Sequence, residues 1–136
     1  MINNNQTLRL IDANLNRLKE GIRVIEDIFR YSFNDKNTAL KLKSLRHLCR
    51  VENYLEVLAS RDVKNDVLRE SIKSEQNRDD LNSILIANFK RAQESSRVLE
   101  ELTKLTSIKT SENFKYIRYE LYNLEIVLTN ITSNSK

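Results

Sequence analysis

The stretch that decides the fold occurs twice, as ANLNRLKEGIRVIED at residues 13–27 and as ANFKRAQESSRVLEE at residues 87–101. Seven of the fifteen positions are identical at an offset of 74 residues. A second match, LKSLRH at 42–47 against FKYIRY at 114–119, has an offset of 72. Apolar residues recur at helical spacing in these segments. The matches predict an all-α fold, an antiparallel four-helix bundle with pseudo-twofold symmetry, built from a duplicated helical hairpin.

The repeat organises the whole chain, residues 1–136, as a single helical domain. Its predicted parts are a first repeat at 7–60, a polar connection at 61–77 and a second repeat at 78–131. The predicted helices span about 7–32, 38–60, 78–106 and 112–131. Thr7 and Thr38 are predicted to open the first two helices, and Asp80 lies in a capping arrangement at the third. The terminal segments MINNN and TSNSK are predicted to fray.

The composition excludes several classes of protein. With no proline and one glycine, the chain has no glycine-rich phosphate loop. The net charge of +4 arises from 23 basic and 19 acidic residues interspersed along the chain, which does not indicate a nucleic-acid partner. A single cysteine excludes an internal disulfide, and no apolar run is long enough to span a bilayer. The start resembles no signal peptide, so we expect a cytoplasmic protein without a membrane partner.

A polar pair on each repeated helix indicates a ligand cleft. Asn14 falls within the apolar face of the first helix, Arg17 lies on the border of that face, and Gly21 is beside them. The second copy repeats this arrangement with Asn88, Arg91 and Ser95. The small residue leaves space beside the polar pair, so we predict that both pairs face a common cleft. The alternative is a core network in which the asparagines bond each other or a backbone carbonyl.

Further charged residues recur in the repeat. Arg46 and Arg118 each follow an aliphatic residue in the matched motif, and arginine binds phosphate through two parallel hydrogen bonds. Glu20 and Glu94 are also matched, and carboxylates near arginines could hold Mg²⁺. The alternative for each glutamate is a solvated side chain on a helix surface.

The long connection contains SRDVKND, with Arg61 and Asp62 in a segment whose length is often functional. Its composition alone favours a solvated loop. The single histidine, His47, is matched by Tyr119, which favours a packing role. Cys49 is interpreted as a buried small hydrophobe.

Five segments together resemble a known family: RLIDANLNRLKEGIRVIEDIFRY, LKSLRH, ASRDVKNDV, IANFKRAQESSRVLEEL and IRYELYNLE. They are similar to small helical hydroxymethylpyrimidine phosphate kinases, which occur alone or fused ahead of thiamine phosphate synthase. The resemblance covers about residues 7–126. It implies Mg²⁺-dependent phosphoryl transfer from ATP to hydroxymethylpyrimidine monophosphate in thiamine biosynthesis. The chain departs from the family pattern at Leu68, where family members carry glycine.

With that reaction in view, a role can be assigned to each candidate residue. Arg17 and Arg91 would bind phosphates, Glu20 or Glu94 would place Mg²⁺, and Asp62 would orient the attacking oxygen. The residues assigned to substrate binding are Asn14, Gly21, Asn88, Arg46, Arg61 and Arg118.

Two other functions remain open. A non-catalytic module that docks onto a thiamine-pathway enzyme, with thiamine phosphate synthase as a possible partner, would show an exposed apolar stripe. A nucleic-acid-binding bundle would need a one-sided basic face, which the interspersed acids do not support. Either one chain or a homodimer could form the site.

Overall fold

A computed structural model describes residues 4–72 and 76–134 of the chain. The helices are α1 (Asn4–Asp27), α2 (Lys36–His47), α3 (Tyr54–Ala59), α4 (Leu81–Thr103) and α5 (Ile108–Asn134). A π-helical turn, Ile28–Ser32, continues α1. No strand occurs in the described residues, so the all-α prediction is confirmed.

The two long helices α1 and α4 pack together at the centre of the molecule. Helix α2 packs on α1, and α5 packs on α4, so each hairpin contributes one central and one outer helix. Matched positions of the repeat are buried in both halves, as for Ile25 and Leu99, or for Leu42 and Phe114. The apolar pattern of the repeat therefore forms one core that both hairpins share.

The helix starts differ from the predicted ones. Helix α1 already includes Asn4, so Thr7 is not its N-cap. Asp35 caps α2, because its carboxylate accepts hydrogen bonds from the backbone N–H of Thr38 at 3.1 Å and from the Thr38 hydroxyl at 2.6 Å. Asp80 caps α4 by accepting from the Ser83 N–H at 2.8 Å. A capping aspartate, rather than the predicted threonine, thus begins α2.

The helix predicted at 38–60 is two helices, α2 and α3, separated by residues 48–53. The break contains neither glycine nor proline. Asn113 of α5 donates its amide N–H to the Leu48 carbonyl at 2.8 Å and thereby satisfies a carbonyl just past the end of α2. Cys49 within the break and Val57 in α3 are both buried, so the interruption directs the chain back onto the core.

The junctions within the two hairpins also differ. The predicted first helix includes the π-helical turn, and α2 then begins inside the predicted turn at 34–37. In the second hairpin α4 ends at Thr103, before the predicted end at 106, and α5 begins inside the predicted loop at 107–111. Asn34 has a positive φ of 52°, which asparagine tolerates better than most residues.

Part of the predicted fraying lies outside the described residues, at 1–3 and 135–136. The described remainder of both ends, 4–5 and 132–134, is helical. Within the connection, 73–75 also lies outside the description. Across the described ranges, no helix combines the length and apolar character that crossing a membrane requires.

Candidate functional site

A large concave surface lies between α1 and the residues that follow α3, with a volume of about 1160 Å³. Its charged and amide side chains come from both segments. They are Asn5, Gln6, Arg9, Asp12, Asn16, Arg17, Glu20, Arg61, Asp62 and Asp66. We call this surface the α1 cleft. It brings together four of the predicted site residues: Arg17, Glu20, Arg61 and Asp62.

A bidentate ion pair joins the segment after α3, which forms one side of the α1 cleft, to α1. The Arg61 guanidinium donates from Nε and from Nη2 to the two carboxylate oxygens of Asp12, both at 2.9 Å. Asp12 is buried, and its hydrogen bonds raise the pKa of the Arg61 guanidinium. Arg9 adds a second link by donating to the Asp62 carbonyl at 3.1 Å. Arg61 therefore positions the segment that it belongs to, and is not a freely available phosphate ligand.

The Asp62 carboxylate is engaged within its own loop. It accepts from the backbone N–H of Asn65 at 3.2 Å and from the Asn65 side-chain amide at 2.7 Å. These hydrogen bonds lower the pKa of Asp62, so the group is a carboxylate at neutral pH. The arrangement fixes the turn behind Arg61.

A second groove lies between α1 and α4, with a volume of about 380 Å³. Its lining residues are Asn14, Arg17, Ala87, Lys90, Arg91, Glu94, Ser95 and Val98. We call it the interhelix groove. Three of the four residues predicted to share a cleft therefore lie together, but Asn88 does not line this groove. Arg17 belongs to both the α1 cleft and the interhelix groove.

The two asparagines are bonded to their own helices. The Asn14 amide donates to the Leu10 carbonyl at 2.9 Å, and the Asn88 amide donates to the Ile84 carbonyl at 2.8 Å. Both bonds run back one helical turn. This agrees with the backbone-carbonyl alternative of the sequence analysis. One amide N–H of each asparagine is thus committed to its own helix.

The prediction that Gly21 opens a ligand cleft was wrong. Gly21 is buried, and a Cβ built there would lie 3.2 Å from the Asn88 carbonyl oxygen and 3.4 Å from the Ala92 Cβ. Atoms of α4 therefore occupy the space that a side chain at residue 21 would take. The two central helices approach so closely there that even a Cβ would make a tight contact, and a larger side chain would force them apart.

The prediction that Arg46 and Arg118 bind substrate is not supported by their contacts. Arg46 donates from Nε to the buried Glu26 carboxylate at 2.8 Å, with a second bond at 3.3 Å. Arg118 donates to Glu100 at 2.9 and 3.1 Å. Glu26 and Glu100 are matched in the repeat, as are the two arginines. The duplication therefore preserves one ion pair in each hairpin, and both arginines have internal partners.

Arg17 and Arg91 differ from Arg46, Arg61 and Arg118 because they have no carboxylate partner in the part of the chain that the structure describes. Both are exposed, and neither guanidinium forms an ion pair or a hydrogen bond within the described ranges. Glu20 and Glu94 are likewise exposed and have no ion pair with a described residue. Glu20 lines the α1 cleft and Glu94 lines the interhelix groove. Two arginines and two glutamates thus present available charges to the concave surfaces.

Asp12 lies on the pattern of the family that the chain resembles but was assigned no role from the sequence, and Arg9 was not a candidate. The available signal was a carboxylate at the edge of the apolar face of α1, which predicts a buried partner. Arg61, the partner of Asp12, lies 49 residues away, so spacing could not identify it.

Comparison with known proteins identifies the family of the chain. The model of the ThiD2 family matches residues 9–127. The chain belongs to the ThiD2 family. A thiamine-phosphate synthase of Thermosynechococcus vestitus is 41% identical over 122 residues, or 89% of this chain and 35% of the synthase. The synthase of Rhodopirellula baltica is 34% identical over 138 residues, covering 95% of the chain and 37% of the synthase.

The chain thus spans about a third of the length of these curated relatives. The thiamine-phosphate synthase of Prochlorococcus marinus strain SARG agrees, with 38% identity over 92% of the chain and 36% of the relative. No solved structure matches the chain.

Proposed function

We propose that the chain acts in thiamine biosynthesis by phosphorylating hydroxymethylpyrimidine monophosphate with ATP. A phosphate oxygen of the pyrimidine substrate would attack the γ-phosphorus of ATP. The bond from that phosphorus to the β-phosphate oxygen would break, leaving ADP and the pyrimidine diphosphate. Membership of the ThiD2 family and the name shared by its relatives support the pathway.

The observation that carries the proposal is the position of Arg17 between two concave surfaces. Both substrates carry phosphate, and Arg17 borders the α1 cleft as well as the interhelix groove. A guanidinium without an internal partner is available for the charge of the transferred phosphoryl group. Phosphoryl transfer depends mainly on positioning and on charge stabilisation, so the reaction needs no covalent intermediate on the protein. Arg91 would add a second cation from α4.

Glu20 is the residue that fits a Mg²⁺ site best. Its carboxylate faces the α1 cleft and has no ion-pair partner among the described side chains. No group of three or more His, Cys, Asp or Glu residues in the described ranges is arranged to hold a metal. Mg²⁺ commonly binds through one or two carboxylates together with substrate phosphates. When bound there, the ion would neutralise phosphate charge; Glu94 is the corresponding candidate in the interhelix groove.

Asp62 receives a narrower role than the sequence suggested. Its carboxylate holds Asn65, and Arg61 holds Asp12, so both residues shape the cleft wall. The phosphate oxygen of the substrate is already anionic near neutral pH and needs no base to become a nucleophile. We therefore assign Asp62 and Arg61 to positioning.

A coupled assay with ATP, Mg²⁺ and hydroxymethylpyrimidine monophosphate tests the proposal. Replacing Arg17 or Arg91 by alanine removes a charge-assisted contact of roughly 1.5–3 kcal/mol, so kcat/KM should fall by about one to two orders of magnitude. Arg23→Ala is the matched control, because Arg23 is exposed and pairs with Asp27 at 3.2 Å. It should leave kcat/KM nearly unchanged.

Substrate choice provides a second readout. Free hydroxymethylpyrimidine lacks the phosphate that the arginines would bind, so it should react poorly. Equal turnover of the free alcohol and the monophosphate would mean that these arginines do not recognise that phosphate. No turnover of either compound by folded protein with Mg²⁺ would overturn the kinase assignment.

One observation favours a second function, docking onto thiamine phosphate synthase. The outer face of α5 exposes apolar side chains at helical spacing, including Ile108, Tyr119 and Ile126 at 66%, 52% and 64% exposure. The synthase is the chosen partner because relatives of that name are about three times as long as the matched segment. Sedimentation of the chain with purified synthase should show a complex that Tyr119→Glu weakens. Sedimentation of the chain alone tests the homodimer.

A further inference from the structure

A third concave surface lies at the junction of α1 and α2, with a volume of about 340 Å³. It is lined by Glu26, Arg30, Asn34, Lys36, Ala39, Leu40 and Lys43. We call it the junction groove. It shares no lining residue with the α1 cleft or the interhelix groove, and neither the family model nor the relatives' names assign it a role.

The junction groove has an excess of available positive charge. Lys36 and Lys43 are exposed and form no ion pair with a described residue, and Arg30 is only stacked over the Tyr31 ring at 5.0 Å. The single lining carboxylate, Glu26, is already neutralised by Arg46. Three cations around one small concavity therefore face solvent without a compensating anion.

The neighbouring acids do not cancel this charge. Asp27 pairs with Arg23 on the outer side of α1. Asp35 is bonded to the N–H and hydroxyl of Thr38, and those bonds lower the pKa of the Asp35 carboxyl. Both carboxylates are thus engaged by other residues and do not line the groove.

The second hairpin provides an internal comparison. At the offset of 74, the place of Arg30 is taken by Lys104, which pairs with Glu101 at 2.7 Å. At the offset of 72, the place of Lys36 is taken by Ile108. Leu40 is likewise replaced, by Glu112. Lys43 is the exception, because the second hairpin carries Lys115 at the matched position. The combination of three available cations is therefore special to the first hairpin.

The backbone of the first hairpin is also irregular at the junction of α1 and α2. The offset falls from 74 to 72 across the junction, so the first hairpin has two more residues there than the second. The π-helical turn and Asn34, with its positive φ, lie in this longer junction. π-Helical turns occur frequently at functional sites. The groove is bordered by this irregular backbone.

We propose that the junction groove is a second anion site, which binds a small phosphorylated compound. Lys36, Lys43 and Arg30 would contact the phosphate, since charge-assisted hydrogen bonds to phosphate are the strong class. Ala39 and the half-exposed Leu40 offer an apolar surface for the organic part of the ligand. The inference is independent of the proposed kinase reaction, because no residue of the α1 cleft or interhelix groove takes part.

The test is a titration of ¹⁵N-labelled full-length protein with inorganic pyrophosphate, followed by amide chemical shifts. Saturable shifts should appear at Arg30, Lys36 and Lys43. Lys36→Ile should weaken this binding by about tenfold, because one charged contact is lost. Isoleucine is the residue that the second hairpin carries at the matched position, so the fold should tolerate it. Leu40→Glu, which introduces the residue type of the matched Glu112, should weaken binding through repulsion.

Two controls keep the outcomes separate. Lys115→Ala changes the lysine matched to Lys43 in the second hairpin and should leave the affinity unchanged. Arg17→Ala should leave the junction shifts unchanged while altering any pyrophosphate binding in the α1 cleft. Shifts confined to the α1 cleft, or a dissociation constant unaffected by Lys36→Ile in protein with normal circular dichroism, would overturn the proposal.

Discussion

Each hairpin contains one internal ion pair between a glutamate and an arginine at matched positions. The hairpins differ in the junction between their helices and in the outer helix. Glu26 with Arg46, and Glu100 with Arg118, occupy matched positions and join the central helix of each hairpin to its outer helix. The junction before the outer helix is longer in the first hairpin, and its outer helix is interrupted after His47. The ion pairs that join the helices are therefore alike in the two hairpins, while the junctions and the outer helices differ.

This difference explains why the candidate site is not symmetric. The α1 cleft needs residues 59–66, which follow the short helix α3 of the first hairpin. In the second hairpin, α5 is still helical at 131–134, the described positions matched to 59–62. The interhelix groove, in contrast, lies on the two central helices, where the repeats remain most alike. Arg17 lines both the α1 cleft, which only the first hairpin forms, and the interhelix groove, which both hairpins form.

The largest expected effect is the loss of an ion pair. Arg118→Met would leave the buried Glu100 with only the more distant Arg97, at 3.6 Å, so we expect a loss of about 3 kcal/mol in the free energy of unfolding. Arg46→Met should cost at least as much, because it leaves Glu26 with no ion-pair partner among the described residues. Urea denaturation followed by circular dichroism measures both.

The double variant with Glu100→Gln and Arg118→Met is the control, since it removes both charges. It should recover part of the lost stability. A loss below about 1 kcal/mol for Arg118→Met would be typical of a solvated pair and would contradict the equivalence of the two buried pairs.

The second effect concerns the contact between the central helices. Gly21→Leu should separate α1 from α4 and lower the free energy of unfolding by about 1–3 kcal/mol. Gly21→Ala should be nearly neutral, because its helix propensity gain of roughly 1 kcal/mol offsets a Cβ placed 3.2 Å from the Asn88 oxygen. Thermal and urea unfolding measure these changes. If Gly21→Leu instead abolished ligand binding at unchanged stability, Gly21 would line a cleft after all.

A smaller effect is expected at the cap of α2. Asp35→Ala should cost about 1 kcal/mol at pH 7, because the N–H of Thr38 loses its acceptor. The pKa of Asp35 is lowered in the folded protein, so this stabilisation is present above about pH 4 and is lost as the pH falls through the lowered pKa. Urea midpoints measured from pH 7 to pH 2.5 should show the two proteins converging. Asp35→Asn keeps the cap without the titration, and its midpoint relative to Asp35→Ala should not converge in this way.

The smallest effect on the fold concerns Cys49, whose matched residue is Leu121. Both are buried, and burial raises the pKa of the Cys49 thiol to about 12. Iodoacetamide at pH 8 should therefore react on the order of a thousandfold more slowly with folded than with urea-unfolded protein. The raised pKa also means that this group's contribution to stability falls as the pH rises through about 8.5. Rapid alkylation of folded protein would show that Cys49 becomes accessible to solvent in the folded state, which would contradict its burial.

Much of the fold could be predicted from the repeat alone. The apolar positions of the two 15-residue copies identified the central helices, and LKSLRH with FKYIRY identified the outer ones. Helical periodicity is a local property, because each backbone hydrogen bond joins residues four apart. The bond from Asn14 to Leu10 was within reach of the sequence for the same reason, as one of two alternatives.

Only the tertiary structure decided which arginines are available. Arg46, Arg118 and Arg61 find their carboxylates 20, 18 and 49 residues away, and helical spacing does not specify contacts at that range. The break in the first outer helix likewise depends on a hydrogen bond from Asn113, 65 residues from Leu48. The sequence determined where helices form and which faces are apolar. Which charges are neutralised and which remain for a ligand was settled by the packing of one helix on another.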